Sequence, residues 1–238
     1  HRRTVAAPQL ELFNGLGGFA ADGREYVVVL GEGQWTPAPW INVVANPNFG
    51  FQVSESGSGY TWAVNSRENQ LTPWSNDPVC DPPSEVFYVR DDETGETWGP
   101  TALPIREPDA PYIARHGQGY TRFEHTSHGI GLDLVQVVPL EDPVKLSRLT
   151  LANRTDRPRK LTVTVYVEWV LGTSRSTSAP HIFTELDTST RAVFVQNAWN
   201  SEFAERVAFV DLVGRHTAWT GDRTEFLGRN GALDRPAG

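Results

Sequence analysis

The sequence predicts an all-β protein, a large antiparallel β-sandwich of two sheets. Three observations predict it. Apolar and polar residues alternate with period two along many short runs, Gly 21 and Pro 17 punctuate those runs with turns, and no stretch carries a sustained 3.6-residue apolar stripe. Successive side chains of a strand point to opposite faces, so this alternation marks strands with one face turned to a core.

Taken in order, residues 25–30 and 85–90 are β-branched and aromatic runs that read as strands. Residues 91–96 supply turn chemistry, and Thr97 and Trp98 a return strand. Residues 131–138 and 145–151 follow as strands. Residues 153–158 are rich in turn formers and separate the run 145–151 from 160–169, so the two runs read as a β-hairpin. In the second of them Leu161, Val163, Val165 and Val167 share one face, and Thr162, Thr164, Tyr166 and Glu168 share the other. Residues 192–195 and 206–210 complete the strands. No segment is rich enough in linker residues to divide the chain, and there is no internal repeat.

Composition narrows the function classes. The chain has 238 residues, enough to bury a substantial core, and a formal net charge of −8. That balance argues against nucleic acid or an anionic membrane surface as partner, since both reward clustered Lys and Arg. No signal peptide opens the sequence, and no apolar run approaches the ~20 residues a membrane span needs. The single cysteine, Cys80, rules out an internal disulfide framework and a Cys-rich metal site; its acidic neighbours Asp77 and Asp81 are expected to raise the thiol pKa. Met is absent and the chain opens at His1, as expected of a piece of a longer polypeptide.

Residues 57–77 hold the densest mixture of aromatic, amide and charged groups. Tyr60, Trp62, Arg67, Asn69, Trp74 and Asn76 are the types a sugar site uses: hydroxyls pair with planar donors and acceptors, and the C–H face of a pyranose stacks on an aromatic ring. The competing reading makes Trp62 and Trp74 core residues and the polar groups turn caps. His116, His125 and His128 cluster in sequence, but residues three apart on a strand face opposite ways, so they read as turn and surface histidines rather than metal ligands. Gly117 and Gly119 suggest a kink, not a phosphate cradle. Glu55, Glu68, Glu124, Glu168 and Glu185 are available as acids, yet nothing in their spacing pairs any two as glycoside chemistry needs. Neither a catalytic residue nor a metal site is expected in this chain.

Seven short stretches, in this order and spacing, resemble the N-terminal region of glycoside hydrolase family 94, formerly glycosyltransferase family 36. They are Asn14-Gly15-Leu16-Gly17-Gly18-Phe19, Pro37-Ala38-Pro39-Trp40-Ile41-Asn42-Val43, Gly59-Tyr60-Thr61-Trp62, Arg115-His116-Gly117-Gln118-Gly119-Tyr120-Thr121-Arg122, Val137-Val138-Pro139-Leu140, Tyr166-Val167-Glu168-Trp169 and Asp222-Arg223-Thr224-Glu225-Phe226-Leu227-Gly228. The stretch 65–77 and Ser54-Glu55-Ser56-Gly57 are most similar to the cyclic β-1,2-glucan synthase branch of that family, which also holds disaccharide phosphorylases.

The resemblance implies a supersandwich of the galactose-mutarotase-like kind over residues 14–238, with residues 1–13 a leader or linker remnant. It implies that the last strands of the sandwich and a catalytic (α/α)6-barrel follow downstream. There inorganic phosphate, as co-substrate, would attack the anomeric carbon while one barrel Asp protonates the leaving oxygen, inverting a β-glucosidic bond to α-glucose 1-phosphate. No other cofactor is implied, and this chain by itself is expected to be inactive. Its implied partners are the barrel, a β-glucan or oligosaccharide held by the barrel, and a second copy in a homodimer. Arg175, in the loop 172–181, stands where disaccharide phosphorylases bring an Arg toward the acceptor sugar, with mobile surface residue as the equal alternative. The location implied is cytoplasmic, as the cytosolic portion of a bacterial inner-membrane protein in the synthase branch. Two rival readings stay open: a stand-alone carbohydrate-binding module, and a structural dimerisation sandwich without sugar contact.

Overall fold

The structure, a computed structural model, describes residues 8–213 and 216–238. The described residues form strands β1 Gly17–Phe19, β2 Glu25–Leu30, β3 Ile41–Asn46, β4 Phe49–Ser54, β5 Gly59–Ala63, β6 Glu85–Asp91, β7 Thr97–Trp98, β8 Tyr112–Gly117, β9 Tyr120–Ser127, β10 Ile130–Val137, β11 Leu146–Asn153 and β12 Leu161–Val167. Helix α1 Arg175–Ser178, strands β13 Ile182–Leu186, β14 Val193–Asn197 and β15 Ala208–Val210, and helix α2 Arg223–Leu227 follow. Residues 1–7 of the expected leader lie outside the described residues; Glu11, also within it, bridges Phe19 of β1.

Every strand pair is antiparallel. One layer is a six-stranded sheet in the order β1-β2-β8-β9-β10-β11. The facing layer is broken into three-stranded sheets, β3-β4-β5 and β12-β6-β7, with a further sheet β13-β14-β15 at one end. Val28, Leu30, Ala114, Phe123 and Leu134 of the large sheet bury against Val44, Phe51 and Val53 of the facing sheet. Beside them Ile130 and Leu132 meet Val89 and Trp98. Removing each such Val, Leu, Ile or Phe side chain from water contributes about 1.5–3 kcal/mol. On its opposite face the large sheet carries a chain of ion pairs running Glu25–Arg115–Glu124–Arg122–Asp133.

Local chemistry fixes the turns. Between β9 and β10, His128 (φ 50°) and Gly129 (φ 76°) both take left-handed backbone, the combination that matches the twist of a two-residue hairpin. Gln118 and Gly119 close the β8–β9 hairpin in the same number of residues, so the expected kink is a tight turn. Asn46 closes the β3–β4 hairpin by accepting the N–H groups of Asn48 and Phe49 at 2.9 and 2.8 Å.

The expected hairpin needs correction. The runs 145–151 and 160–169 are strands but do not pair with each other: β11 pairs with β10, and β12 pairs with β6 in the facing layer. The segment between them is a crossover. Asn153 folds it locally by accepting from Thr155, and Arg159 then anchors it in the second layer on the buried Asp91 carboxylate and the His128 carbonyl. On β12 it is the Thr162–Tyr166 face that holds the buried residue. Val163 is 37% exposed, whereas Tyr166 is buried, because α2 covers the Tyr166 face and Phe226 stacks on that ring at 5.5 Å.

His116 and His125 are not surface residues. His125 is buried and stacks on Tyr112 with ring centroids 3.8 Å apart, and burial pushes each imidazole down to about 4. His128 does sit in a turn, against Trp98.

The stretches that carry the family resemblance meet in space. Asn42 donates to the Gly117 and Tyr120 carbonyls at 3.1 and 2.9 Å, and His116 Nε2 lies 3.2 Å from the Trp40 carbonyl. Asn46 donates to the Pro139 carbonyl at 2.8 Å. Tyr166 takes both the Phe226 ring and, on its hydroxyl, the Arg223 Nε at 3.2 Å, while Asp222 caps α2 through the N–H of Thr224 at 2.7 Å.

Candidate functional site

The aromatic-rich loop is built on the end of β5. Asn65 accepts the N–H groups of Arg67 and Glu68 at 2.9 and 3.0 Å and so shapes the turn that follows the strand. Gln70 and Leu71 then run back beside β5, with the Leu71 N–H on the Thr61 carbonyl at 2.8 Å. On their other side Gln70 and Gly172 exchange backbone hydrogen bonds of 3.1 and 3.0 Å, and Val170 donates to Leu71 at 2.9 Å. This strip joins the loop 64–77 to the distant loop 172–181. Gly172 lies close under α1: a Cβ there would lie 2.7 Å from the Ser178 hydroxyl.

A buried ion pair supports the strip from below. Glu85 accepts from Thr61 at 2.6 Å, Thr72 at 2.9 Å and Lys145 Nζ at 2.8 Å. Burial pushes the Glu85 carboxyl up, but the Lys145 ammonium and the hydrogen bonds outweigh it and hold it below its ordinary value. The Lys145 ammonium also lies 4.4 Å over the Phe51 ring.

Of the candidate sugar contacts, three aromatic residues come together. Tyr60 is buried between Trp62, at 5.2 Å, and Trp74, stacked at 5.9 Å with 20° between the rings. Trp62 is half-buried and packs over Gly50; Trp74 is 49% exposed. Burial pushes the Tyr60 phenol up. Arg67 stands out into solvent beside Glu68 at 3.3 Å, and Asn76 is exposed on the same loop with a left-handed φ of 43°. Asn69 turns inward, buried, with its amide donated to the Ala63 carbonyl at 3.0 Å. Arg175 lies on the neighbouring loop at the start of α1, its Nε 2.8 Å from the Glu168 carboxylate.

One aromatic pair at this end went unweighed in the sequence. Trp199 is 74% exposed and stacks on His181 at 4.8 Å with 10° between the rings. The only signal was its setting, Asn197-Ala198-Trp199-Asn200, a small copy of the amide and aromatic mixture in residues 57–77. The Asp77 carboxylate beside Cys80 pushes that exposed thiol up. A cavity of about 240 Å³ lies elsewhere, between the β6–β12 pair and the C-terminal segment, lined by Tyr88, Arg90, Thr162, Thr164 and Phe226. Among the described residues no three His, Cys, Asp or Glu side chains converge as metal ligands.

The arrangement offers stacking surfaces and hydrogen-bonding groups for a polar, uncharged ring such as a pyranose. Residues 24–238 match the family model "Glycosyl hydrolase 94, supersandwich domain". The chain is 44% identical over 95% of its length to the cyclic beta-(1,2)-glucan synthase NdvB of Rhizobium meliloti, of which it covers 8%. It is 31% identical over 64% of its length to the N,N'-diacetylchitobiose phosphorylase of Vibrio furnissii, covering 19% of that protein. With the solabiose phosphorylase of Paenibacillus borealis the identity is 33% over 66% of the chain and 20% of the relative. The chain thus spans a fifth or less of these relatives.

Proposed function

The chain belongs to glycoside hydrolase family 94, as its supersandwich domain, and from that premise we propose that it is the non-catalytic sandwich of a β-glucan phosphorylase-like region in a cyclic β-1,2-glucan synthase-like parent. The observation that carries the branch is the 44% identity to the Rhizobium meliloti synthase over nearly the whole chain. In this reading the bond is broken on a downstream (α/α)6-barrel, with inorganic phosphate as nucleophile and a barrel Asp as the acid. Phosphate replaces both the base and its water, so one protein acid suffices.

The sandwich then shapes the rim of the sugar cleft. Tyr60, Trp62 and Trp74 supply aromatic surface; Arg67, Asn76 and Arg175 supply hydrogen-bonding groups; and Asn69 holds the loop from within. The Gln70–Gly172 pairing supports this reading because it makes the two candidate loops one unit. A homodimer through the sandwich and a cytosolic location, on the inner-membrane protein of the synthase branch, belong to the same proposal. No helix among the described residues is long and apolar enough to cross a membrane.

The test uses the parent chain extended through the barrel, incubated with inorganic phosphate and either linear β-1,2-glucan or cellobiose. Glucose 1-phosphate from β-1,2-glucan alone is the expected result. Release from cellobiose alone moves the chain to the disaccharide phosphorylases, and release from neither by a folded protein removes the phosphorylase reading.

A further inference from the structure

We propose that Trp74, on the cleft rim, and Trp199 are the two ends of a surface platform that holds a linear β-linked glucan chain beyond the point where the bond is broken. The inference rests on the reading that the parent acts on β-glucan, and it adds a binding site that the family resemblance does not assign.

The two indoles are held in the same way. Each is exposed on one side and backed on the other by a nearly parallel ring, Trp74 by Tyr60 and Trp199 by His181. Each has its backbone N–H fixed by an amide side chain: Trp74 by Gln70 Oε1 at 3.1 Å, and Trp199 by Asn197 Oδ1 at 3.1 Å. Both amide residues are rooted on adjacent residues of one segment. Gln70 pairs its backbone with Gly172, while Asn197 donates its amide to the Leu171 carbonyl at 3.1 Å, joined there by Asn200 at 3.0 Å. Leu171 takes a left-handed φ of 44° and is buried against Val195, Ala208 and Leu71, so the root of both arms is packed.

A ring backed by a second ring and pinned through its own main chain loses little freedom when a ligand stacks on it. The equatorial C–H faces of a β-linked glucose unit match such a surface. Ser174 and Thr177, on the loop that leaves Gly172, offer hydroxyls near the root, and Asn76 follows Trp74. The formal charge of −8 disfavours an anionic polymer and leaves a neutral chain as the fitting ligand. Two stacking points on one rigid root reward a ligand long enough to reach both, because the second contact becomes intramolecular.

The experiment measures binding of linear β-1,2-glucans of graded length, and of the β-1,2-linked disaccharide, to the parent chain by calorimetry without phosphate. The Trp74→Ala, Trp199→Ala and double variants are compared, with circular dichroism to verify folding. Each single change is expected to weaken long-chain binding about tenfold, with loss of the step in affinity that wild type shows as chain length increases. Trp199, the more exposed ring, carries the test if Trp74→Ala fails to fold. Unchanged long-chain affinity in Trp199→Ala overturns the platform. So does equal weakening for disaccharide and long chain, which would put the rings in the cleavage cleft. Wild type that binds glucan through these tryptophans yet releases no glucose 1-phosphate would remove phosphorolysis and leave the platform standing.

Discussion

The side-chain amide of Asn42 donates to the Gly117 carbonyl at 3.1 Å, across 75 residues of sequence. Its other acceptors are the Tyr120 carbonyl and the Thr121 hydroxyl, both at 2.9 Å, so one asparagine on β3 closes the β8–β9 hairpin against the facing layer. Asn46, on the same face of β3, does likewise for the Pro139 and Asp142 carbonyls. Asn42, within one of the stretches that carry the family resemblance, is thus a staple between the two layers.

Asn42→Ala removes the donor and strands the carbonyls it serves. A loss of about 1–3 kcal/mol is expected. Asn42→Asp is expected to be worse, because a carboxylate would face carbonyl oxygens. Urea unfolding checks both, with a lower midpoint at unchanged slope as the sign of lost stability.

Lys145→Met leaves the Glu85 carboxylate buried beside two hydroxyls without its cation, and about 3–5 kcal/mol of destabilisation is expected. Adding Glu85→Gln should recover much of it. The measurement is a double-mutant cycle; additive effects would show that the two residues do not act as a pair.

Acid should destabilise the chain through His116 and His125, whose imidazoles are held down to about 4 against an ordinary value near 6.5. Protons then bind preferentially to the unfolded chain between these values. The stabilisation is complete above pH ~6.5 and is lost as pH falls toward 4, by at most about 3 kcal/mol for each histidine. Unfolding free energy measured across that window should fall with pH, and His116→Gln should flatten the slope.

Gly59 precedes Tyr60, and a Cβ there would run into the Gln52 carbonyl oxygen of β4. Backbone atoms cannot yield as a flexible side chain does. Gly59→Ala is therefore expected to cost about 3 kcal/mol or more and to disturb the Tyr60–Trp74 stack. A lowered Tm together with altered tryptophan fluorescence is the readout.

Strand positions were legible where period-two alternation was clear, a local property set by which side chains share a face; β3, β4, β5, β8 and β9 were not read as strands. β2 spans the predicted residues 25–30, and the turn at residues 91–96 returns through Thr97 and Trp98 as expected. Pairing was not legible where it was non-local. Turn formers at residues 153–158 serve a hairpin or a crossover equally well, and only the partners of Arg159, the Asp91 carboxylate and the His128 carbonyl, decide for the crossover.

The same division runs through the candidate site. The sequence by itself determined an all-β fold and an acidic balance, and it offered the stretch 57–77 as candidate sugar contacts; Tyr60 and Trp62 of that stretch lie on strand β5. Tertiary structure decided that Asn69 faces inward, that Tyr60 stacks on Trp74, and that Trp199 is exposed at the same end of the molecule. Those outcomes depend on the meeting of Gln70 with Gly172 and of Asn197 with Leu171, contacts between distant stretches whose residue types carry no local signal of each other.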